Sequence, residues 1–504
     1  MIGRRDFLRT GVCGGVVGAG MLQGGARATE GQIVAAQSSP PAVLAKYTEE
    51  DHRRRLESIR FSREGIQSSL RQHLVTNYLP AQATYNLGEY PARAPWTVDE
   101  YDEQELDRLQ AHGIQVIQVF DDWNDSLRLF GADKYSAVNA AGFRRFIELA
   151  HKRGIKVLPY ISTGFLQRTD PDFRQEWSRE GDFLTLGYWD MARCAPASAG
   201  WRAFLLPKIM QVLDEYGADG LYNDGGYYAN FHNLKAAPTA NEVVAFEETP
   251  DHDGAFTDLL GLIYAEVHRR GGIVKLHVNA AEKPMSDGEK VYDYLWAGEG
   301  VGNLDAMREK VKGYEPYLVP CPDITFAGSV GKDESYLQAI PYLQFPVLQA
   351  GRPFTGERAM IPGVAYSKAE SDFWMKLCRE AWAHYQQHPE GPYSYSAWDY
   401  IPGRPEVRPT HAHWLKQYLP LVEEGTRAWL EVGETVLLAG PRPAEVVLSV
   451  FANRDVHLVI ANYGATPAEI TTRDTCISTL EQNGNPRTSW YVAPRSLEIL
   501  RLHV

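Results

Sequence analysis

Cysteine is scarce in this chain of 504 residues: there are five, and no two stand in a C-x-x-C pair. That spacing excludes the common zinc frameworks and a thioredoxin-like redox motif. H-E-x-x-H, the Walker loop and the G-x-S-x-G elbow are also missing, so metalloprotease, P-loop and α/β-hydrolase chemistry have no foothold. No glycine-rich phosphate turn follows the first apolar run, which argues against a dinucleotide-binding sheet. No cofactor or metal is expected. No apolar run reaches the length of a membrane-spanning helix.

Positive charge is also in short supply. The chain carries 51 Lys and Arg against 64 Asp and Glu, a formal net charge of −13. An acidic surface is a poor partner for nucleic acid or an anionic membrane, because phosphate binding needs basic residues. It suits a protein acting on a neutral substrate.

The N-terminus reads Gly3-Arg4-Arg5-Asp6-Phe7-Leu8-Arg9, followed by a weakly apolar, glycine-rich run from Gly11 to Leu22 and the small-x-small site Ala26-Arg27-Ala28. This is the layout of a twin-arginine export leader over 1–28. Such a leader predicts a periplasmic or secreted product with no membrane insertion once it is removed. It carries four arginines and one aspartate, +3, so the mature chain is −13 − 3 = −16. The remaining cysteines, Cys194, Cys321, Cys378 and Cys476, are expected as buried free thiols, since twin-arginine substrates fold before export.

Residues 29–72 divide into an Ala, Gln, Ser and Pro-rich lead-in and a charged helix within Tyr47–Gln72. Residues 73–430 alternate short apolar runs with amphipathic stretches. The runs are Leu74–Tyr78, Ile114–Phe120, Ile155–Ile161, Gly220–Tyr222, Ile273–Val278, Tyr292–Trp296, Tyr317–Val319 and Phe345–Leu348, with Tyr393–Trp398 as a rival for the eighth. Helical stretches between them stop at Gly113, Gly154, Gly217 and Gly271, the usual left-handed stop signal. Strand, helix, glycine, strand, repeated over about 300 residues, predicts an α/β fold of the (β/α)8 TIM-barrel type. From 431 to 504 the pattern turns to short alternating runs separated by Gly, Pro, Asn and Asp, which predicts a small C-terminal antiparallel β-sandwich domain.

In such a barrel the chemistry sits where strands end. Strand two ends in Asp121-Asp122-Trp123-Asn124-Asp125, and strand three passes Tyr160. Strand four ends Asn223-Asp224-Gly225-Gly226-Tyr227. Strand five ends His277-Val278-Asn279, and strand six Trp296-Ala297-Gly298-Glu299. Carboxylates interleaved with flat rings match glycoside cleavage, where one acid attacks or activates water and a second protonates the leaving oxygen. Asp224 is the candidate nucleophile and Glu299 the candidate acid/base, with Glu282 as its rival. Asp121, Asp122, His277 and Asn279 are candidate hydroxyl ligands, and Trp123, Tyr160, Tyr227 and Trp296 candidate sugar platforms. Glu89 could enter from the loop after strand one. Asp251-His252-Asp253 reads better as a solvated turn than as a metal site. A barrel that binds carbohydrate without cleaving it would keep the rings and not need both acids.

Gly217-Ala218-Asp219-Gly220-Leu221-Tyr222-Asn223-Asp224, approached by Cys194-Ala195-Pro196-Ala197-Ser198-Ala199-Gly200-Trp201-Arg202, resembles the strand-four region of α-galactosidase (melibiase)-type barrels and of uncharacterised bacterial glycosidase-like proteins. The resemblance covers roughly residues 73–400 and implies a retaining glycosidase with Asp224 as nucleophile. The chain departs from it in two places. Tyr222 stands where those families place a lysine, and Glu299 where they place an aspartate acid/base.

Overall fold

The computed structural model describes residues 44, 46–88, 96–126, 128, 130–178, 183–186, 189–226, 252–278, 290–297, 304–314, 319–322, 333–352, 387 and 408–503. The first helix among the described residues, Glu49–Gly65, is capped by Thr48, whose side chain accepts from Asp51 N. It leads into β1 (Ser69–Leu74). The barrel strands are then β2 (Gln82–Asn86), β3 (Val116–Val119) and β4 (Lys156–Ser162), followed after an insertion by β8 (Gly220–Gly226), β9 (Ile273–Val278), β10 (Tyr294–Ala297), β11 (Pro320–Pro322) and β12 (Leu348–Gly351). The insertion is a small antiparallel sheet of β5 (Phe165–Gln167), β6 (Phe183–Leu186) and β7 (Trp189–Arg193) in the order β5-β7-β6.

Eight strands form one parallel sheet, β11-β10-β9-β8-β4-β3-β2-β12, in which β2 pairs with β12 at its far edge. The ring closes where Phe345 N, on the approach to β12, donates to Pro320 O of β11 at 3.0 Å. This is a (β/α)8 barrel. The stop glycines behave as expected: Gly113, Gly154, Gly217 and Gly271 have φ of 90°, 71°, 69° and 74°. The helix Glu100–His112 shows how the seam is held. Asp99 and Asp102 form a capping box at its start, and the buried Asp102 also accepts from Tyr85 on β2 at 2.9 Å and pairs with Arg352 beyond β12. One turn on, Glu105 accepts from Gly351 N at 3.2 Å and pairs with Arg408. First and last strands are therefore joined by the same helix.

Strand one departs from expectation. Leu74–Tyr78 does not open the barrel; β2 does, and it begins at Gln82. β1 instead pairs antiparallel with β13 (Arg427–Val432), from Ser69↔Val432 to Leu74↔Arg427. Strand seven lies at Pro320–Pro322 rather than Tyr317–Val319, and strand eight is centred three residues beyond Phe345–Leu348. Tyr393–Trp398 lies outside the described residues.

The C-terminal domain continues with β14 (Val446–Ala452), β15 (Val456–Asn462), β16 (Ala468–Ser478), β17 (Arg487–Val492) and β18 (Ser496–Leu502). Its strands bond as one seven-stranded antiparallel sheet, β1-β13-β14-β15-β18-β16-β17. Alternation assigns two faces. Val446, Leu448, Val450, Leu458, Ile460 and Leu500 face a core that Ile470, Trp490 and Val492 of β16 and β17 also close. Phe451, Val459, Ala461, Leu497 and Ile499 face the barrel, against Tyr336, Leu337 and Ile340. The segment Thr435–Leu438 joins the domain through isolated bridges, Ile66↔Thr435 and Leu438↔Thr472. Cys194, Cys321 and Cys476 are buried thiols outside any disulfide, and Cys378 lies outside the described residues.

Burial pulls the imidazoles of His73 and His457 down to about 4 and that of His411 to about 3. Each is neutral in the folded chain, while the unfolded histidine titrates near its ordinary value of about 6.5. The unfolded state therefore takes up more protons below that value. The stability these sites contribute is complete above about pH 6.5 and is lost as pH falls towards 4, by at most about 1.4 kcal/mol per pH unit per histidine. Denaturant unfolding between pH 7 and 5 should show this slope, and it should be shallower in His457→Gln. A slope unchanged by that substitution would mean His457 is not held neutral.

Candidate functional site

The rim of the barrel is organised by register. Ser162 on β4 stands opposite Asp224 on β8, and Asp224 opposite His277 on β9. Gly220 makes this close pairing possible. Its φ is +147°, and a Cβ there would lie 1.9 Å from Ile273 O, so no side chain fits where β8 enters beside β9.

The Asp224 carboxylate is held on both oxygens. Tyr160 Oη donates to Oδ2 at 2.8 Å, and His277 Nδ1 lies 3.5 Å from Oδ1. The side chains of Asp224 and His277 are 18% and 16% exposed, so both are reachable from the barrel mouth while most of their surface is enclosed. The Asp224 backbone carbonyl accepts from Thr163 N at 3.0 Å, which ties the end of β8 to the end of β4.

An aromatic layer supports these groups. The Tyr222 ring meets Tyr160, Trp296 and Phe120 at centroid distances of 5.7, 6.0 and 5.9 Å, and the His277 ring stands edge-on to Trp296 at 4.6 Å. Edge contacts of this kind fix ring orientation. They set the imidazole at Asp224.

The end of β4 is pinned from outside by three buried donors. Trp123 Nε1 donates to Tyr160 O at 2.9 Å, Tyr135 Oη to Ser162 O at 3.1 Å and Trp201 Nε1 to Thr163 O at 3.1 Å. Trp123 is therefore not a sugar platform. It is 1% exposed and stacks on Phe143 at 4.9 Å. Trp296, also 1% exposed, is likewise a support under His277 and not an open face. Tyr160 acts through its hydroxyl on Asp224.

Asp122 also serves the fold, not an open hydroxyl-binding position. It is buried, and its Oδ2 accepts from Leu87 N and Gly88 N at 2.6 and 3.1 Å, where it fastens the end of β2 to the loop after β3. Asp125 braces the same loop further on, where its Oδ2 accepts from Phe130 N and Ala132 N at 2.8 and 3.1 Å. Asp121, at the start of this loop, is half-buried. Tyr227, Asn279, Glu282, Glu299 and Glu89 lie outside the described residues. Asp251 lies outside the described residues, and His252 and Asp253 do not form a solvated turn: they are the first two residues of the helix His252–Arg269, and His252 is buried.

Lys134 does not stand out in the sequence. It is buried beside the site, and its ammonium donates to Phe165 O on β5. Burial pulls it down to about 8, against the opposing charges of Cys194, Asp224, Asp121 and Asp170. The only sign of it in the sequence is a long connection after strand two with one lysine inside an Asp-rich loop.

A carboxylate fixed by a phenol and faced by an imidazole can attack an electrophilic carbon or stabilise a developing cation.

No protein-family model matches the chain, and no curated protein matches it in sequence. Many solved structures match in fold. A noncanonic maltogenic α-amylase from Thermotoga neapolitana aligns at TM-score 0.50 and 12% identity, over 84% of this chain and 99% of that one. An α-amylase from Geobacillus thermoleovorans, complexed with acarbose, aligns at 0.51 and 10%, over 85% and 99%. A Bacillus licheniformis trehalose-6-phosphate hydrolase aligns at 0.50 and 12%, over 85% and 100%. At such identity the likeness establishes the architecture, a barrel with a terminal β-domain across nearly the whole length of each relative.

The role assigned to Trp123 predicts a stability effect. Trp123→Ala should cost about 3–5 kcal/mol in urea unfolding, the range for emptying a buried aromatic site. A loss within about 0.5 kcal/mol, typical of a surface position, would return Trp123 to the open platforms.

Proposed function

We propose that the chain is a glycoside hydrolase with Asp224 as its nucleophile. The observation that carries this reading is the Asp224 carboxylate at the end of β8, set by Tyr160 and His277 on one rim. In a (β/α)8 barrel that end of the strands is where reactions occur. A retaining mechanism needs a carboxylate poised at the anomeric carbon, and the hydrogen bond from Tyr160 directs it. The second requirement is an acid that protonates the leaving oxygen and then activates water. Glu299, in the connection after β10, is assigned that role, with Glu282, after β9, as the alternative. Asp121, His277 and Asn279 would bond sugar hydroxyls, and Tyr227 would offer a ring face.

The acidic balance of the chain favours a neutral saccharide. The fold relatives include α-amylases and a trehalose-6-phosphate hydrolase, so α-glucosides stand first among candidates. The Gly217–Asp224 segment keeps α-galactosides beside them. No cofactor is invoked. Among the described residues no helix is long and apolar enough to cross a membrane. Export by the twin-arginine route to the periplasm or beyond is the matching proposal for the leader at 1–28.

Two measurements test these readings. A panel of aryl α- and β-glycosides should give leaving-group release on at least one sugar, and Asp224→Asn should lower it by at least about a thousandfold with the fold intact. Release that survives the substitution would move the nucleophile elsewhere. Binding of a sugar with no turnover, equal in wild type and variant, would make the barrel a carbohydrate-binding module. For the leader, replacing Arg4 and Arg5 by lysine should remove the mature protein from the periplasmic fraction. An unchanged fractionation would exclude the twin-arginine route.

A further inference from the structure

We propose that Arg495, in the turn between β17 and β18, is a positioning residue for the barrel rim, holding the two helices that follow β10 and β11. For the chemistry it serves the proposal rests on the hydrolase reading; for the joint itself it rests on geometry.

In a βα barrel each helix begins at the same end where its preceding strand delivers residues to the site. The helices Leu304–Val311 and Asp333–Ala339 follow β10 and β11, so their first turns lie at the rim. Each carries a carboxylate as its second residue, Asp305 and Glu334. Arg495 Nη2 lies 3.1 Å from both oxygens of Asp305. The same nitrogen also donates to Glu334 Oε1, and Nε lies 3.3 Å from Glu334 Oε2. Its Nη1 donates to Tyr463 O at 3.2 Å.

The network then closes on itself. Arg308 donates to Asp305 Oδ1 at 3.0 Å and to Gln338 Oε1 at 2.7 Å, and its guanidinium lies 3.8 Å from the Tyr463 ring centroid. Gln338 Nε2 donates to Asp305 Oδ1 at 2.9 Å and to Glu334 Oε1 at 2.8 Å. Tyr463 Oη donates to Leu337 O at 3.0 Å. Arg308 also pairs with Glu309 at 3.2 Å, so two arginines meet three carboxylates, and Arg495 and Tyr463 are the terminal domain's contribution to the ring.

Two features separate this joint from ordinary adhesion between domains. The sheet already adheres through an apolar face, with Phe451, Val459, Leu497 and Ile499 against Tyr336, Leu337 and Ile340. And Arg495 sits at φ 51°, in the left-handed region that non-glycine residues seldom occupy, so the turn accepts an unfavourable backbone where it aims this side chain. Fixing both first turns limits how far these ends of the two helices can shift, and displacements of about 1 Å at a reacting centre can cost about a hundredfold in rate.

The test compares Arg495→Ala and Arg495→Lys with a control, Arg454→Ala. The control breaks another ion pair made by an arginine of the terminal domain, Arg454–Glu423 at 2.8 Å. Hydrogen exchange needs no substrate. In Arg495→Ala, peptides covering 304–311 and 333–339 should exchange about tenfold faster, with 69–74 and 427–432 unchanged. On any glycoside the wild type cleaves, kcat/KM should fall about ten- to a hundredfold in Arg495→Ala, recover most of the loss in Arg495→Lys and hold in Arg454→Ala. Unchanged exchange at both helices, loosening spread evenly through the terminal sheet, or full kcat/KM with the two helices loosened would each overturn the proposal. A wild type inactive on every glycoside would count against the hydrolase reading alone, and the exchange pattern would still decide for or against the joint.

Discussion

The register of β4, β8 and β9 is the constraint on which the rim depends. A slip of one residue in β8 would turn Asp224 away from the barrel mouth and bring Asn223 to its place, because side chains alternate along a strand. The register is held at both ends of the strand. At the entry, Gly220 passes against Ile273 so closely that only a residue without Cβ fits. At the exit, Thr163 N donates to the Asp224 carbonyl, while Trp123, Tyr135 and Trp201 hold the carbonyls of β4 in turn. Large buried side chains thus set the position of one carboxylate.

The same logic explains which site assignments could be read from the sequence. Asp224 and His277 stand out because a carboxylate or imidazole directly after an apolar strand has few structural uses. The aromatic residues are ambiguous for a physical reason. An indole is equally suited to stacking on a sugar and to filling a core while its N–H caps a carbonyl, and sequence does not distinguish the two. Asp122 misleads for a related reason: a carboxylate beside a strand end satisfies loop N–H groups as readily as sugar hydroxyls.

The fold is legible where local chemistry and global architecture agree. Four glycines in the left-handed conformation end four helices, as their positions imply. The first barrel strand is not legible. Its sequence, Gln82-Ala83-Thr84-Tyr85-Asn86, is weakly apolar, and Gln82 is buried against Lys275 on β9, whose ammonium donates to its oxygen at 2.9 Å. A strand whose buried residues are partly polar loses the apolar signal that marks its neighbours. Leu74–Tyr78, just upstream, has the stronger pattern and draws the assignment; β1, which ends at Leu74, serves the other sheet.

That exchange of strands has a consequence for folding. β1, near the start of the described chain, pairs with β13, from Ser69↔Val432, and the helix before it packs on the same domain: Arg55 Nη1 donates to Gly425 O at 2.8 Å. The terminal sheet is therefore finished only when segments more than 350 residues apart meet. Pairings this distant carry a large loop-closure cost before they return any contact energy, and they form late. The domain bearing Arg495 is thus built from both ends of the described chain, so the rim helices it touches are held by the part of the molecule completed last.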